Sequence, residues 1–206
     1  MPTVAIIDYD SGNLHSAAKG LETAGARVLI SRDPQQILRA DGVVLPGVGA
    51  FDQAIAQLRQ YDLEPVINQA IAQQQPFLGI CVGMQLLFDS SAEGNLPGLG
   101  IIPGKVVKIQ PEPHLTIPHM GWNQLQVAQP DCSLWQQLDP NPWFYFVHSY
   151  FGLPQDSSWI AASTTHGTQT LTAAIARANL FAVQFHPEKS SRSGLQMLRN
   201  FIKLLA

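Results

Sequence analysis

Three residue types that together can carry out nucleophilic chemistry stand at the ends of apolar runs. Cys81 follows Pro76-Phe77-Leu78-Gly79-Ile80 and precedes Val82-Gly83-Met84-Gln85. A Gly-x-Cys-x-Gly turn between an apolar strand and a helix has the layout of a nucleophile elbow, with sulfur in place of the usual hydroxyl. About a hundred residues later, Val183-Gln184-Phe185-His186-Pro187-Glu188 ends a second apolar run with an imidazole and, two positions on, a carboxylate. In an extended segment positions i and i+2 share a face. Glu188 can then hold His186 in one tautomer while the other ring nitrogen faces the thiol. Pro187 stiffens the pair. The helix start after Cys81 favours an anion at sulfur, and the Val82 amide there is placed to donate to an oxyanion. The bland reading of Cys81 is a small buried hydrophobe, and the flanking glycines weigh against it.

Other segments carry weaker signals. Pro46-Gly47-Val48-Gly49 reads as a strand-to-helix turn, or as a loop whose glycines allow a peptide flip or close approach to a ligand. Ile117-Pro118-His119-Met120-Gly121-Trp122-Asn123 and Tyr145-Phe146-Val147-His148-Ser149-Tyr150 interleave aromatics with histidine, a composition that suits core, site or interface alike. The histidines show neither His-x-x-x-His spacing nor a cysteine partner, so no metal is expected. Cys132 looks incidental, and no phosphate-binding glycine loop appears.

The elements that must position these groups follow from periodicity. Strands are predicted at Val4–Asp8, Arg27–Ile30, Gly42–Leu45 and Phe77–Ile80. Between them lie a helix from Leu14 to Ala24, opened by Ser11-Gly12-Asn13 as capping residues and closed by Gly25, and a short helix from Asp33-Pro34. A helical stretch from Phe51 to Gln74 follows, with a break expected near Asp62. A helix from Val82 to Phe88 lies behind the elbow. Such alternation argues for a mostly parallel sheet flanked by helices, and open sheets of this kind place ligands at the C-terminal ends of their strands. The second half reads as a β-rich, partly antiparallel insertion, with strands at Lys105–Ile109, Trp122–Val127, Trp143–Val147, Ile160–Ser163 and Leu171–Arg177. A buried strand at Leu180–Phe185 and a helix from Ser191 to Leu205 close an α/β chain.

Bulk properties narrow the setting. The 206 residues are expected to form one domain, residues 1–206. Only 13% of residues are charged, against roughly 25% on average, so the 20 glutamines must supply much of the polar surface. A net charge of −3 gives no reason to expect nucleic acid. No apolar run approaches the roughly 20 residues needed to cross a bilayer, and the N-terminal segment lacks the basic region of a signal peptide. Two cysteines make no disulfide framework, and the cytosol is the expected compartment.

With these motifs in hand, the chain resembles a class I glutamine amidotransferase domain: the Pro46–Gly49 loop, the elbow around Cys81 and Gln184–Glu188 all match. Three further motifs, Tyr9-Asp10-Ser11-Gly12-Asn13-Leu14, Pro118–Asn123 and Phe146–Tyr150, are similar to those of the glutaminase subunits of imidazole glycerol phosphate synthases. The resemblance implies a flavodoxin-like core and a nucleophile at Cys81, with His186 as base and acid and Glu188 orienting it. It implies oxyanion donors from Gly47, Val48, Gly49 and Val82, and glutamine held by Gly49, Gln85, Glu93, Ser149 and Tyr150. It also implies no cofactor and, as heterodimer partner, a separate synthase (cyclase) subunit, faced by Asn13, Trp122 and Tyr145. A glutaminase serving another ammonia-channelling synthase, such as that of pyridoxal phosphate, is the alternative.

Overall fold

The computed structural model describes residues 1–10 and 12–205. Ser11, one of the expected capping residues, lies outside them. The first half runs β1 (Thr3–Ile7), α1 (Leu14–Ala24), β2 (Arg27–Ser31), α2 (Pro34–Arg39), β3 (Gly42–Gly47), α3 (Phe51–Gln60), α4 (Glu64–Ala72), β4 (Phe77–Cys81) and α5 (Val82–Gln85). The second runs β5 (Phe88–Ser91), β6 (Ile102–Lys108), β7 (His119–Gln124), β8 (Gln126–Val127), β9 (Trp143–His148), β10 (Tyr150–Pro154), β11 (Ile160–His166), β12 (Gln169–Arg177), β13 (Leu180–Val183) and α6 (Ser191–Lys203).

The central sheet has the order β2-β1-β3-β4-β13-β12-β11-β8. The pairings from β2 to β13 are parallel, and β12, β11 and β8 add antiparallel strands at one side. Every residue of β3, β4 and β13 is buried, as expected for strands covered on both faces. Two smaller sheets lie outside it. One has the order β10-β6-β5, and the other is the antiparallel ribbon β7–β9. Inward-facing Phe144 and Phe146 of that ribbon pack on Phe185, with ring centroids 4.1 and 5.6 Å away. The chain just beyond β13 is thereby held against the ribbon.

Local chemistry explains the elements and the departures from expectation. Asp33 caps α2 by accepting from the Gln35 amide, and Pro34 follows it. Gly25, at φ +108°, closes α1. Asn13 precedes α1 but makes no capping bond; its side chain is turned elsewhere. The stretch from Phe51 to Gln74 is two helices. Asp62 takes φ +53°, and Pro65, which cannot donate, lies in the first turn of α4.

The helix expected over Val82–Phe88 is one turn, α5. Beyond it the Leu86 and Leu87 carbonyls accept from the amides of Leu99, Ile101 and Ile102, which draws the chain into β5. β5 and β10 were not anticipated from the sequence. The strand expected over Trp122–Val127 is divided between β7 and β8, which belong to different sheets. Leu180–Phe185 stops being a strand at Val183, and the last helix ends at Lys203. Among the described residues no helix is long and apolar enough to cross a membrane.

The register explains where chemistry can occur. Gly47 lies beside Cys81 across β3–β4, and Ile80 beside Val183 across β4–β13. The C-terminal ends of three neighbouring parallel strands therefore bring together residues 47–49, Cys81 and residues 184–188. Close backbone approach makes this possible. A Cβ on Gly83 would fall 1.9 Å from the Leu45 carbonyl oxygen of β3, and one on Gly47 would fall 2.6 Å from the Gly83 amide nitrogen. Gly49, by contrast, has φ +90° and open space around it. Gly83→Ala is therefore expected to destabilise by about 3 kcal/mol or more, and Gly49→Ala by only about 1 kcal/mol of backbone strain. Urea unfolding of the two variants checks the difference.

Candidate active site

Cys81 ends β4 with φ +55° and ψ −113°, a conformation that a residue with a Cβ holds only when its surroundings impose it. The imposing contacts are the packed backbone of β3 and the turn into α5. Gly79 and Gly83 lie so close that a Cβ on Gly79 would sit 3.0 Å from the Gly83 oxygen. This is a strained elbow, and it turns the buried thiol toward a cavity of about 310 Å³. Because α5 has four residues, the favourable field at its start is smaller than a full helix would give. The Val82 amide is its first donor and has no acceptor within the helix.

The cavity is lined by Val48, Gly49, Cys81, Val82, Gln85, Glu93, Pro118, Val147, His148, Ser149, Tyr150 and His186. Gly47 stands behind it in β3, next to the elbow. Tyr9, wholly buried, donates its hydroxyl to the Pro46 carbonyl at 2.7 Å and pins the loop's root. Glu93 is fixed from the far side, where its Oε2 accepts from the Phe51 amide at the start of α3, 2.9 Å away.

His186 and Glu188 are joined, but not along a strand as expected. Pro187–Lys189 forms a single 3₁₀ turn, in which the Lys189 amide donates to the His186 carbonyl. That turn brings Glu188 Oε1 to 2.8 Å from His186 Nδ1, with both side chains almost wholly buried. The Asn13 side chain also donates to this oxygen at 2.8 Å, so the partly exposed Asn13 braces the carboxylate. Glu188 Oε2 is buried without a partner among the described residues. Burial pushes the His186 ring down, but its hydrogen bonds to Cys81 and Glu188 outweigh that and raise its pKa to about 9. The ring therefore keeps its proton at neutral pH, bonded to the Glu188 carboxylate and lining the same cavity as Cys81.

A second set of histidines has the opposite character. His148 Nδ1 lies 2.9 Å from the Tyr150 carbonyl, which can only accept, so Nδ1 carries the proton and Nε2 is free to accept. His119 Nδ1, 3.0 Å from that Nε2, must then donate, and its own Nε2 accepts from the Asn123 amide at 3.1 Å. Asn123 donates further to the Thr165 carbonyl at 2.8 Å. Both rings are therefore neutral in the fold. Burial lowers His119 to about 4, with help from the charge of His166, and burial lowers His148 to about 3. This chain explains the motifs Pro118–Asn123 and Phe146–Tyr150: they shape the backbone of the cavity wall.

Trp122 and Tyr145 pair across β7–β9, with rings edge-on and centroids 6.2 Å apart. Trp122 is 49% exposed, beside exposed Met120 and Trp143, which makes this outer face of the ribbon apolar. The ribbon is tied to the His186 segment by backbone. The His186 amide donates to the Tyr145 carbonyl at 3.0 Å, and the Tyr145 amide donates to Ser190 Oγ at 2.9 Å. Sequence reading assigned no role to Gln184, whose Nε2 lies 3.7 Å from Cys81 Sγ, and it did not place Asn13 against Glu188. A glutamine inside the apolar run Val183–Phe185 was the available signal for the first. Nothing local marked the second, which joins residues 175 positions apart.

A parallel-sheet fold with a cysteine elbow facing a His-Glu pair defines a class of enzyme, and the sequence agrees. Residues 5–204 match the model of the glutamine amidotransferase class-I family, and the chain belongs to that family, as an enzyme that hydrolyses glutamine. Its relatives are more particular. It is 63% identical to "Imidazole glycerol phosphate synthase subunit HisH" of Thermosynechococcus vestitus, with 99% of this chain and 98% of that protein covered. It is 58% identical to the protein of that name from Synechococcus elongatus, with 100% and 94% covered. Among solved structures, PurLQS from Thermotoga maritima superposes with a TM-score of 0.78 at 17% identity, with 100% of this chain and 99% of that chain covered. The glutaminase domain of CTPS from Trypanosoma brucei gives 0.66 at 15%, with 98% and 94% covered. These two likenesses concern the fold.

The two sets of histidines set opposite pH limits on stability. His186, raised in the fold, contributes stability that is fully present below about 6.5 and is lost as pH rises through about 9. His119 and His148, lowered in the fold, contribute stability that is present above about 6.5 and is lost as pH falls toward about 4 and 3. Urea midpoints measured across pH are expected to fall on both sides. Glu188→Gln should flatten the alkaline limb, and His119→Gln the acid limb.

Proposed function

We propose that this chain is the glutaminase subunit of an imidazole glycerol phosphate synthase in histidine biosynthesis. The observation that carries the reading is identity of 58–63% over nearly the whole chain to proteins of that name, joined to a Cys-His-Glu arrangement in a single cavity. The alternative, a glutaminase serving another synthase, is not favoured by those relatives. In this reading residues 1–206 form a single glutamine amidotransferase domain in the cytoplasm.

The geometry supports a two-stage hydrolysis. The Cys81 thiolate attacks the side-chain amide carbon of glutamine, and the carbonyl electron pair moves to oxygen. The Val82 amide and the backbone of Gly47, Val48 and Gly49 are the donors for that oxyanion. The His186 imidazolium gives its proton to the departing nitrogen, the C–N bond breaks, and ammonia leaves a thioester on Cys81. Neutral His186 then takes a proton from water, which attacks the thioester to release glutamate and restore the thiolate. Glu188, braced by Asn13, keeps the ring oriented through both stages. Gly49, Gln85, Glu93, Ser149 and Tyr150 hold the substrate.

Ammonia formed here would pass to a separate synthase (cyclase) subunit, which uses it to make imidazole glycerol phosphate and aminoimidazole carboxamide ribotide. The apolar face carrying Trp122 and Tyr145 suits that partner, and Asn13, which braces Glu188, is assigned to the same interface by the resemblance. Its backbone ties to His186 give docking a short path to the reacting groups.

Cys81→Ala is expected to abolish glutamine hydrolysis while the assembled enzyme still turns over with added ammonium salt. His186→Ala should remove most hydrolysis and Glu188→Gln less, because it disturbs orientation but removes no reacting group. Glutamate release and ammonium-dependent turnover measured side by side test the assignment, which retained hydrolysis in Cys81→Ala would sink.

A separate expectation concerns the partner. Glutamate release by the isolated chain should be slow and should rise by about a hundredfold or more when the synthase partner and its nucleotide ligand are added, the size of effect of one oxyanion donor. Trp122→Ala should blunt that rise. Equal activity with and without the partner would leave an ordinary glutaminase.

A further inference from the structure

A run of oriented side-chain amides leads from the cavity wall to the nucleophile. Gln85 is almost wholly buried; its Nε2 lies 3.0 Å from the Tyr150 carbonyl and 3.0 Å from Gln184 Oε1. Gln184 is fully buried, and its Nε2 lies 3.7 Å from Cys81 Sγ. Oxygen and nitrogen of a side-chain amide are told apart by their partners, and here the partners leave one solution. The Tyr150 carbonyl accepts only, so Gln85 must present its NH₂ group there. The second hydrogen of that group then faces Gln184, which must present oxygen. Gln184 is left with its NH₂ toward sulfur. Turning either amide over would set two carbonyls or two NH₂ groups against each other. The same Tyr150 carbonyl accepts from His148 Nδ1, so the histidine chain from Asn123 holds the carbonyl that fixes both amides.

We propose that Gln184 is a further member of the reacting group, a side-chain amide that donates to Cys81 Sγ and holds its thiolate, oriented through Gln85 by the Tyr150 carbonyl. The proposal rests on the reading of Cys81 as nucleophile and deepens it. A thiol sulfur is a weak acceptor, and a donor aimed at a thiolate gains the strength of a charge-assisted bond. His186 and Gln184 then hold the anion between them, which a lone imidazolium does not. The donor acts a second time when water cleaves the thioester. The C–S bond breaks, its electron pair goes to sulfur, and the Gln184 amide meets the returning charge.

The test is alkylation of Cys81 by iodoacetamide in the full-length chain carrying Cys132→Ser, so that a single thiol reacts. Rates are measured across pH together with the ultraviolet absorbance of the thiolate. In this background Gln184→Met keeps length and removes the donor. It is expected to slow alkylation at neutral pH roughly tenfold, the effect of losing one charge-assisted bond, to displace the pH profile upward and to lower the thiolate absorbance. Gln184→Glu aims an oxygen at sulfur and should do more. Gln85→Met leaves Gln184 whole but unoriented and should produce a smaller change in the same direction. Folded variants whose profiles and absorbance overlay the parent's would overturn the proposal, even with a lower melting temperature. Should the Gln184 variants not fold, Gln85→Met decides on the same two readouts. Alkylation uses neither glutamine nor a partner subunit. A parent chain that alkylates normally but releases no glutamate would therefore count against the proposed function and leave this inference standing.

Discussion

Everything at this site depends on backbone packed directly against backbone, where β3 meets the turn after β4. The Leu45 carbonyl occupies the place where a side chain on Gly83 would begin, and Gly47 is also pressed against the same turn. Contact at that distance leaves the elbow no room to relax, so Cys81 keeps dihedrals it would not choose. The strain is borne by the parallel core, whose buried strands are among the hardest parts of such a fold to deform. The thiol is presented by a rigid support, while the groups that act on it arrive on turns and loops.

Those groups come in two electrostatic kinds, and the contrast is physical. His186 is hydrogen-bonded to the Glu188 carboxylate and to Cys81 and holds its proton in spite of burial. His119 and His148 have no anionic partner and feel the charge of His166, so burial prevails and they stay uncharged. A single residue type thus does charged work on one side of the cavity and architectural work on the other. Two neutral rings can transmit hydrogen-bond direction without adding charge to the cavity wall.

Much of this was legible in the sequence. The β/α alternation, the strands that end within two residues of Leu45 and Ile80, and the Cys-His-Glu combination followed from apolar runs, glycine placement and spacing. The helix behind the elbow was not legible in length. Apolar periodicity continues through Leu86 to Phe88, and only tertiary hydrogen bonds from residues 99–102 draw the chain out of the helix and into β5 at Phe88. The geometry of Glu188 was misjudged for a related reason, since Pro187 opens a 3₁₀ turn where an extended segment was assumed. Asn13 looked like a helix cap by residue type, yet its side chain reaches Glu188 across the fold. Gln184 stood in plain view as the polar member of an apolar run. What it touches depends on which strands are neighbours, and spacing along the chain does not carry that.

The β7–β9 ribbon has two faces that cannot be exchanged. Along β9, Phe144, Phe146 and His148 point inward, alternating with Trp143, Tyr145 and Val147. A slip of one residue would turn every one of these over at once, placing tryptophan in the core and phenylalanine in solvent and breaking the bonds to His186 and Ser190. The ribbon therefore cannot respond to pressure on its outer face by sliding in small steps. Its outer face and its bonds to His186 and Ser190 are thus fixed to one register, and a load on the one is a load on the other.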